Sequence, residues 1–100
     1  MAKHLYILKG KKVVQAKNLN EWVTWTAKNK TRRVEVTKRG NTIVSTVFLL
    51  ASHPVYRNNK WEERHFETMV FKKGLPDWRI LSNTWKEAEK NHWETVKKIK

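Results

Sequence analysis

The sequence predicts an α+β fold: a small antiparallel sheet of about five strands carrying two helices, in the order ββαββ(β)α. Three observations predict it. Runs rich in β-branched and aromatic residues, several of them alternating with polar ones, are separated by turns containing Gly or Asn, the pattern of half-buried strands. Two other stretches repeat apolar residues every three to four positions behind an Asn or Thr cap, the signature of amphipathic helices. Finally, 100 residues without a Pro-, Gly- or Ser-rich divider form a single domain, residues 1–100, with room for one core.

The elements follow in order. Residues 4–8 and 12–16 are short strands joined by Lys9-Gly10-Lys11, a hairpin turning on Gly10. Asn18 caps a helix over 18–29 whose apolar positions are 19, 22, 23, 26 and 27. Two Thr and a Val weaken its intrinsic propensity, so packing of Trp22 against a sheet has to hold it. Residues 31–38 alternate, with Val34 and Val36 on one face and Arg33, Glu35 and Thr37 on the other, up to a turn at Arg39-Gly40-Asn41. Residues 42–50 become apolar on both faces, as in a central strand covered on both sides or capped by a partner chain. Pro54 and the paired Asn58-Asn59 mark 52–60 as a loop, and 61–72 is a long strand. After a break at 73–77, residues 78–81 add a short strand. The last helix opens on the capping box Thr84/Glu87 and carries Trp85, Ala88, His92, Val96 and Ile99 on one stripe. Its early Glu87 and Glu89 and late Lys97, Lys98 and Lys100 complement the helix dipole.

Charge is the other strong signal. Lys and Arg total 22 against 9 Asp and Glu, a formal net charge of +13, and residues 1–40 hold eleven basic and two acidic side chains. Such a field concentrates phosphates near the first helix and third strand, so an anionic partner is expected; a basic surface kept soluble by self-repulsion is the plain alternative. The absence of Cys excludes disulfides, thiolate metal sites and a Cys nucleophile. The apolar run near the N-terminus is far shorter than a secretory h-region, and no window approaches the ~18 apolar residues of a membrane span. Cytoplasm is therefore the expected compartment and no membrane partner is expected. Asn29-Lys30-Thr31 matches a glycosylation sequon by chance.

No P-loop, dinucleotide fingerprint, nucleophile elbow or zinc-protease helix is present. Glu89-x-x-His92 has the one-face spacing of carboxylate-bridged metal sites but lacks the second copy such sites need, so no metal or cofactor is expected. His92 reads either as a core histidine bonded to backbone or as a ligand contact. Glu63 and His65 share a strand face and read as a cross-strand ion pair. Glu67 lies inside Phe66-Glu67-Thr68-Met69-Val70-Phe71, where a carboxylate must be paired, with Arg33 or Arg79, or must accept from a base edge. Aromatic and basic residues interleave at Trp22, Trp25, Lys28, Lys30, Arg32 and Arg33, and again at Tyr56, Arg57, Lys60, Trp61 and Arg64. Bases stack on such rings while cations hold phosphates. Of the six Trp, Trp25 and Trp93 are the ones expected to be exposed.

Ser45-Thr46-Val47-Phe48-Leu49, His53, Phe66-Glu67-Thr68-Met69-Val70-Phe71 and Ser82-x-Thr84-Trp85-x-Glu87-Ala88-x-x-x-His92 together resemble a widespread family of small phage and prophage proteins of mostly unassigned function, over most of residues 4–93. The chain departs from that family's pattern before His53, where Leu50-Ala51-Ser52 replaces a Gly-containing turn to Asp-His, and after Phe71, where Lys72-Lys73-Gly74 replaces Gly-Gly. The resemblance implies a phage accessory protein acting in counter-defence, the anti-CBASS type of sponge that sequesters a cyclic dinucleotide immune signal without hydrolysing it. In a phage setting the compartment is the host bacterial cytoplasm.

The expectation is thus a non-enzymatic protein binding an anionic nucleotide at the interface of a homo-oligomer. Arg33, Lys73 and Arg79 are expected to hold phosphate, Trp25 or Trp85 to stack, and Thr46, Glu67 and His92 to read base or ribose edges. Sequence-tolerant DNA or RNA binding through the basic N-terminal half is the alternative.

Overall fold

Residues 5–29 and 32–99 are described in a computed structural model of the chain. The expected first positions of strands one and three, His4 and Thr31, lie outside the described residues, as do Lys30 and Lys100.

The first hairpin pairs β1 (Tyr6–Lys9) with β2 (Lys12–Gln15) around Gly10, whose φ of 63° is the left-handed conformation that a tight two-residue hairpin asks of its first turn residue. Helix α1 (Leu19–Lys28) follows, with the Asn18 side chain accepting from the Glu21 backbone N–H. Then come β3 (Arg33–Arg39), β4 (Thr42–Arg57), β5 (Lys60–Lys72), β6 (Leu75–Ser82) and α2 (Trp85–Lys98). The strands form two sheets, not one of five: β1-β2 stands alone, and β3-β4-β5-β6 is a four-stranded antiparallel meander.

The expected loop over 52–60 is instead strand, with His53 to Arg57 pairing Arg64 to Lys60 around Asn58-Asn59. Both asparagines have positive φ, 53° and 61°, so the pair marks a type I′ hairpin turn. Pro54 is tolerated because β3 pairs β4 only as far as Val47, which leaves Pro54 on an open edge. The break expected over 73–77 shrinks to the turn Lys73-Gly74, and β6 begins at Leu75.

Two face assignments also change. A bulge between Arg33 and Glu35 shifts the parity of β3, so Glu35 and Thr37 share the face of Thr46 and Val44, and Val36 points to the opposite side with Ser45. On α1, Leu19 and Val23 are exposed at 61% and 49%, and the face that packs is Trp22 with Trp25 against Ile7, Val14 and Ala16 of the hairpin region. The sheet that holds α1 is the small one.

Helix α2 lies on the inner face of the large sheet. Ala88 packs with Phe48 and Phe66, and Val96 with Val44 and Val70. Hairpin residues Tyr6, Leu8 and Val13, with Trp25 and Trp85, close over the Phe48/Phe66 end, where the rings meet edge to face.

Candidate functional site

The tip of the first hairpin is electrostatically loaded. Lys9 and Lys12 are cross-strand partners, and Lys11 sits in the turn between them. Like charges placed opposite one another oppose strand pairing, and a bound anion would relieve that repulsion. Below the tip lies Trp85, the first residue of α2, with the Lys11 ammonium 5.8 Å from its ring centroid.

Two cavities meet at Trp85. The first, of about 840 Å³, is bordered by Lys9, Lys11, Lys12 and Lys86, with Tyr6, Glu63, His65 and Glu89. The second, of about 650 Å³, is bordered by Lys28, Arg32 and Arg33, with Trp25, Leu8 and Gly10, and no carboxylate lines it. Indole Nε1 of Trp85 and Nε of Arg32 are buried donors without a partner among the described residues, and both residues border the second cavity. Arg32 is held by its backbone, in which its carbonyl accepts from the Phe48 N–H at 2.8 Å, and it adopts a φ of 45°.

In the first cavity Glu63 accepts from the Tyr6 hydroxyl and, at 2.9 Å, from Ser52. The hydrogen bond to Glu63, with burial and the carboxylate's charge, pushes the Tyr6 phenol up to about 12. His65 stacks edge-on against Tyr6 with ring centroids 4.4 Å apart, and burial pushes its pKa below the usual histidine value against the pull of Glu63. Glu63 is thus a carboxylate that accepts from the Tyr6 and Ser52 hydroxyls beside an imidazole that favours its neutral form.

No family model, curated protein or solved structure matches the chain. The chemistry of this groove is read from its own residues.

Of the residues expected to bind ligand, Trp25, Arg33 and Trp85 come together around the second cavity. The others do not join them. Arg79 donates to Glu67 at 3.1 Å on the face of the sheet turned away from α2, which satisfies the Glu67 carboxylate as an ion pair. Lys73 occupies the β5–β6 turn, where its backbone N–H donates to Asn41. Thr46 and His92 are fully buried: Thr46 Oγ1 lies 2.9 Å from Nδ1 of His92 and 2.7 Å from Thr68 Oγ1, and Thr37 Oγ1 lies 2.9 Å from Nε2. This hydroxyl–imidazole chain crosses β3, β4 and β5. It replaces the backbone partner expected for His92 and occupies both ring nitrogens. Among the described residues no group of three or more His, Cys, Asp or Glu is placed to hold a metal ion.

The chain predicts an acid response. Burial lowers the His92 pKa, outweighing the opposing pull of Glu35, and His65 is lowered in the same way. The unfolded chain therefore takes up protons that the folded chain resists. Stability is full above the unfolded histidine pKa of about 6.5 and is lost as pH falls toward the lower folded values. Denaturant midpoints between pH 7.5 and 5 should fall with pH, and an NMR titration should show His92 still neutral where an ordinary histidine is half-protonated. A His92 that titrates at the ordinary value would contradict this.

The residues missed in the sequence are the lysines of the hairpin tip and Lys86. Their signal was present, since Lys9, Lys11 and Lys12 surround a single Gly, but a charged turn is so ordinary that only the structure, by setting it above Trp85, gives it a partner.

Proposed function

We propose that the chain binds an anionic nucleotide in the groove around Trp85 and holds it without chemistry. The observation that carries this reading is the pair of adjoining cavities that share one Trp and together present seven Lys or Arg against two carboxylates, Glu63 and Glu89. Each cavity falls in the roughly 300–1,000 Å³ range of small-molecule sites. Cations on both sides of the turn suit a ligand with two phosphates, and Trp85 with Trp25 offers faces on which a base can stack, worth roughly 1–3 kcal/mol each. A cyclic dinucleotide has that form. Together with the resemblance to small phage proteins, this favours sequestration of a cyclic dinucleotide immune signal, for which cations, a stacking ring and no nucleophile suffice.

Single-stranded DNA or RNA is the second reading, favoured by the cations continuing from Lys86 across the turn to Lys28 and Arg33. Calorimetry against cyclic dinucleotides, mononucleotides and a random oligonucleotide separates the two. The dinucleotide reading expects one small ligand bound at micromolar or tighter affinity, retained at moderate salt and recovered intact after denaturation. Binding confined to long polymers, with the steep salt dependence of counterion release, would replace it by the second reading. Indifference to every nucleotide would sink both.

A further inference from the structure

The large sheet has a second face. Cross-strand partners share a face, so the rows Arg33–Val47–Glu67–Leu81, Val36–Ser45–Met69–Arg79 and Lys38–Ile43–Phe71 all lie on the side turned away from α2. Val36, Ile43, Val47, Met69, Phe71 and Leu81 are half-buried there, and none belongs to the core clusters packed under α2 or the hairpin. An antiparallel sheet that meets water on one side ordinarily alternates to polar residues on that side. Here six of the eleven positions in these rows are apolar, four of them on the two middle strands.

We infer that this outer face is the dimer interface, and that its occupant is the same face of a second copy of the chain. Charge selects the occupant. In these three rows the middle strands carry one charge, Glu67, which Arg79 neutralises at 3.1 Å, while Arg33 and Lys38 stand on the edge strand β3. A nucleic acid or an acidic protein would call for cations at the centre of its footprint. Here the centre is apolar and neutral with a charged rim, which is the anatomy of a protein interface. A twisted apolar sheet packs best on another at about 10 Å with strands roughly 30° apart, and a two-fold axis supplies the matching face from the chain itself.

The area sets the strength. The eleven outward positions of these rows, at the ~35 Å² per residue typical of standard interfaces, bury roughly 800 Å² over both copies, the size of weak, transient association. The dimer is therefore concentration-dependent, in the micromolar range or weaker. The groove stays open in each copy because the hairpin and α2 lie on the opposite side of the sheet, and Arg33, at the edge strand, borders both.

Electrostatics supplies a distinguishing signature. Each copy carries +13, so association works against long-range repulsion and must tighten as salt screens it. Association bridged by nucleic acid weakens with salt. The experiment is sedimentation equilibrium of the nuclease-treated full chain from about 10 to 500 μM, at about 0.1 and 0.5 M salt. The expected mass moves from 12.0 kDa toward twice that value with concentration, and does so earlier at high salt. Met69→Lys should weaken the dimer by roughly tenfold or more by burying like charges across the axis. The gentler Val47→Thr should weaken it less, and folding of both is checked by circular dichroism. A monomer under every condition, association that weakens with salt, or a dimer that survives both folded variants overturns the inference; the last outcome would place the contact elsewhere, such as the edges of β3 and β6.

Discussion

Phe66→Ala is expected to remove about 3–5 kcal/mol of folding stability. Phe66 is 0% exposed, meets Phe48 at 5.4 Å and Trp85 at 6.1 Å between ring centroids, and packs on Ala88 of α2. It is the point where the large sheet, the last helix and, through Phe48, Trp25 of the first helix converge. The surrounding side chains cannot collapse into the space it leaves, because Phe48 and Ala88 are tied to β4 and α2 by backbone pairing of their own. A domain of this size holds roughly 5–15 kcal/mol in total, so the loss takes a large share. The thermal midpoint should drop by roughly 15–30 °C. Trp61→Ala is the internal comparison: that ring is 70% exposed on the β4–β5 arm, and its removal should leave the midpoint nearly unchanged. A drop of only a few degrees for Phe66→Ala would mean that the two layers do not share one core.

The second large effect concerns the groove. Combining Lys11→Ala, Lys28→Ala and Arg33→Ala removes one cation from the first cavity and two from the second. Hydrogen bonds to charged groups contribute about 1.5–3 kcal/mol each, and even with poor additivity the triple should weaken dinucleotide affinity by roughly 100-fold or more. Should the ligand instead be a single strand, the slope of log affinity against log salt should shrink by up to about two, since single strands contribute ~0.7 per phosphate contact. All three side chains are exposed, so folding is not at risk. Relief of repulsion at the hairpin tip should hold the thermal midpoint level or raise it slightly. Unaltered binding in the triple would remove the groove from consideration while leaving the fold untouched.

Where the chain carries its own local signals, the sequence was readable. The Asn18 cap and the Thr84/Glu87 box bound both helices within a residue of their ends, and Gly10 and Gly40 mark their turns. What could not be read depended on long-range geometry. The Asn58-Asn59 turn looked like loop because Pro54 preceded it, and only the open edge of β4 makes that proline compatible with pairing. A bulge at Arg33/Glu35 inverts the parity of a strand without any change of residue type. For the site, Trp25, Arg33 and Trp85 were recognised from residue type and do meet around one cavity. Thr46 and His92 were right to draw notice as polar residues among apolar neighbours, but burial turns them toward each other. Nothing in composition distinguishes a histidine that reads a ligand from one enclosed in a chain of threonine hydroxyls.

That enclosure bears on how the chain finds its own alignment. Both β4 and β5 are apolar on their two faces, with Val44 and Phe48 set against Ile43 and Val47, and Val70 and Phe66 set against Met69 and Phe71. Hydrophobicity alone therefore says little about which side of the sheet should turn inward. A slip of one residue would present Ser45, Val47, Glu67 and Met69 to the helix, burying the Glu67 carboxylate away from Arg79 and taking the Thr46 and Thr68 hydroxyls from the imidazole of His92. Only one register offers Thr37, Thr46 and Thr68 together. The buried hydroxyls thus act as a key, rejecting a misaligned sheet that the apolar residues by themselves would accept.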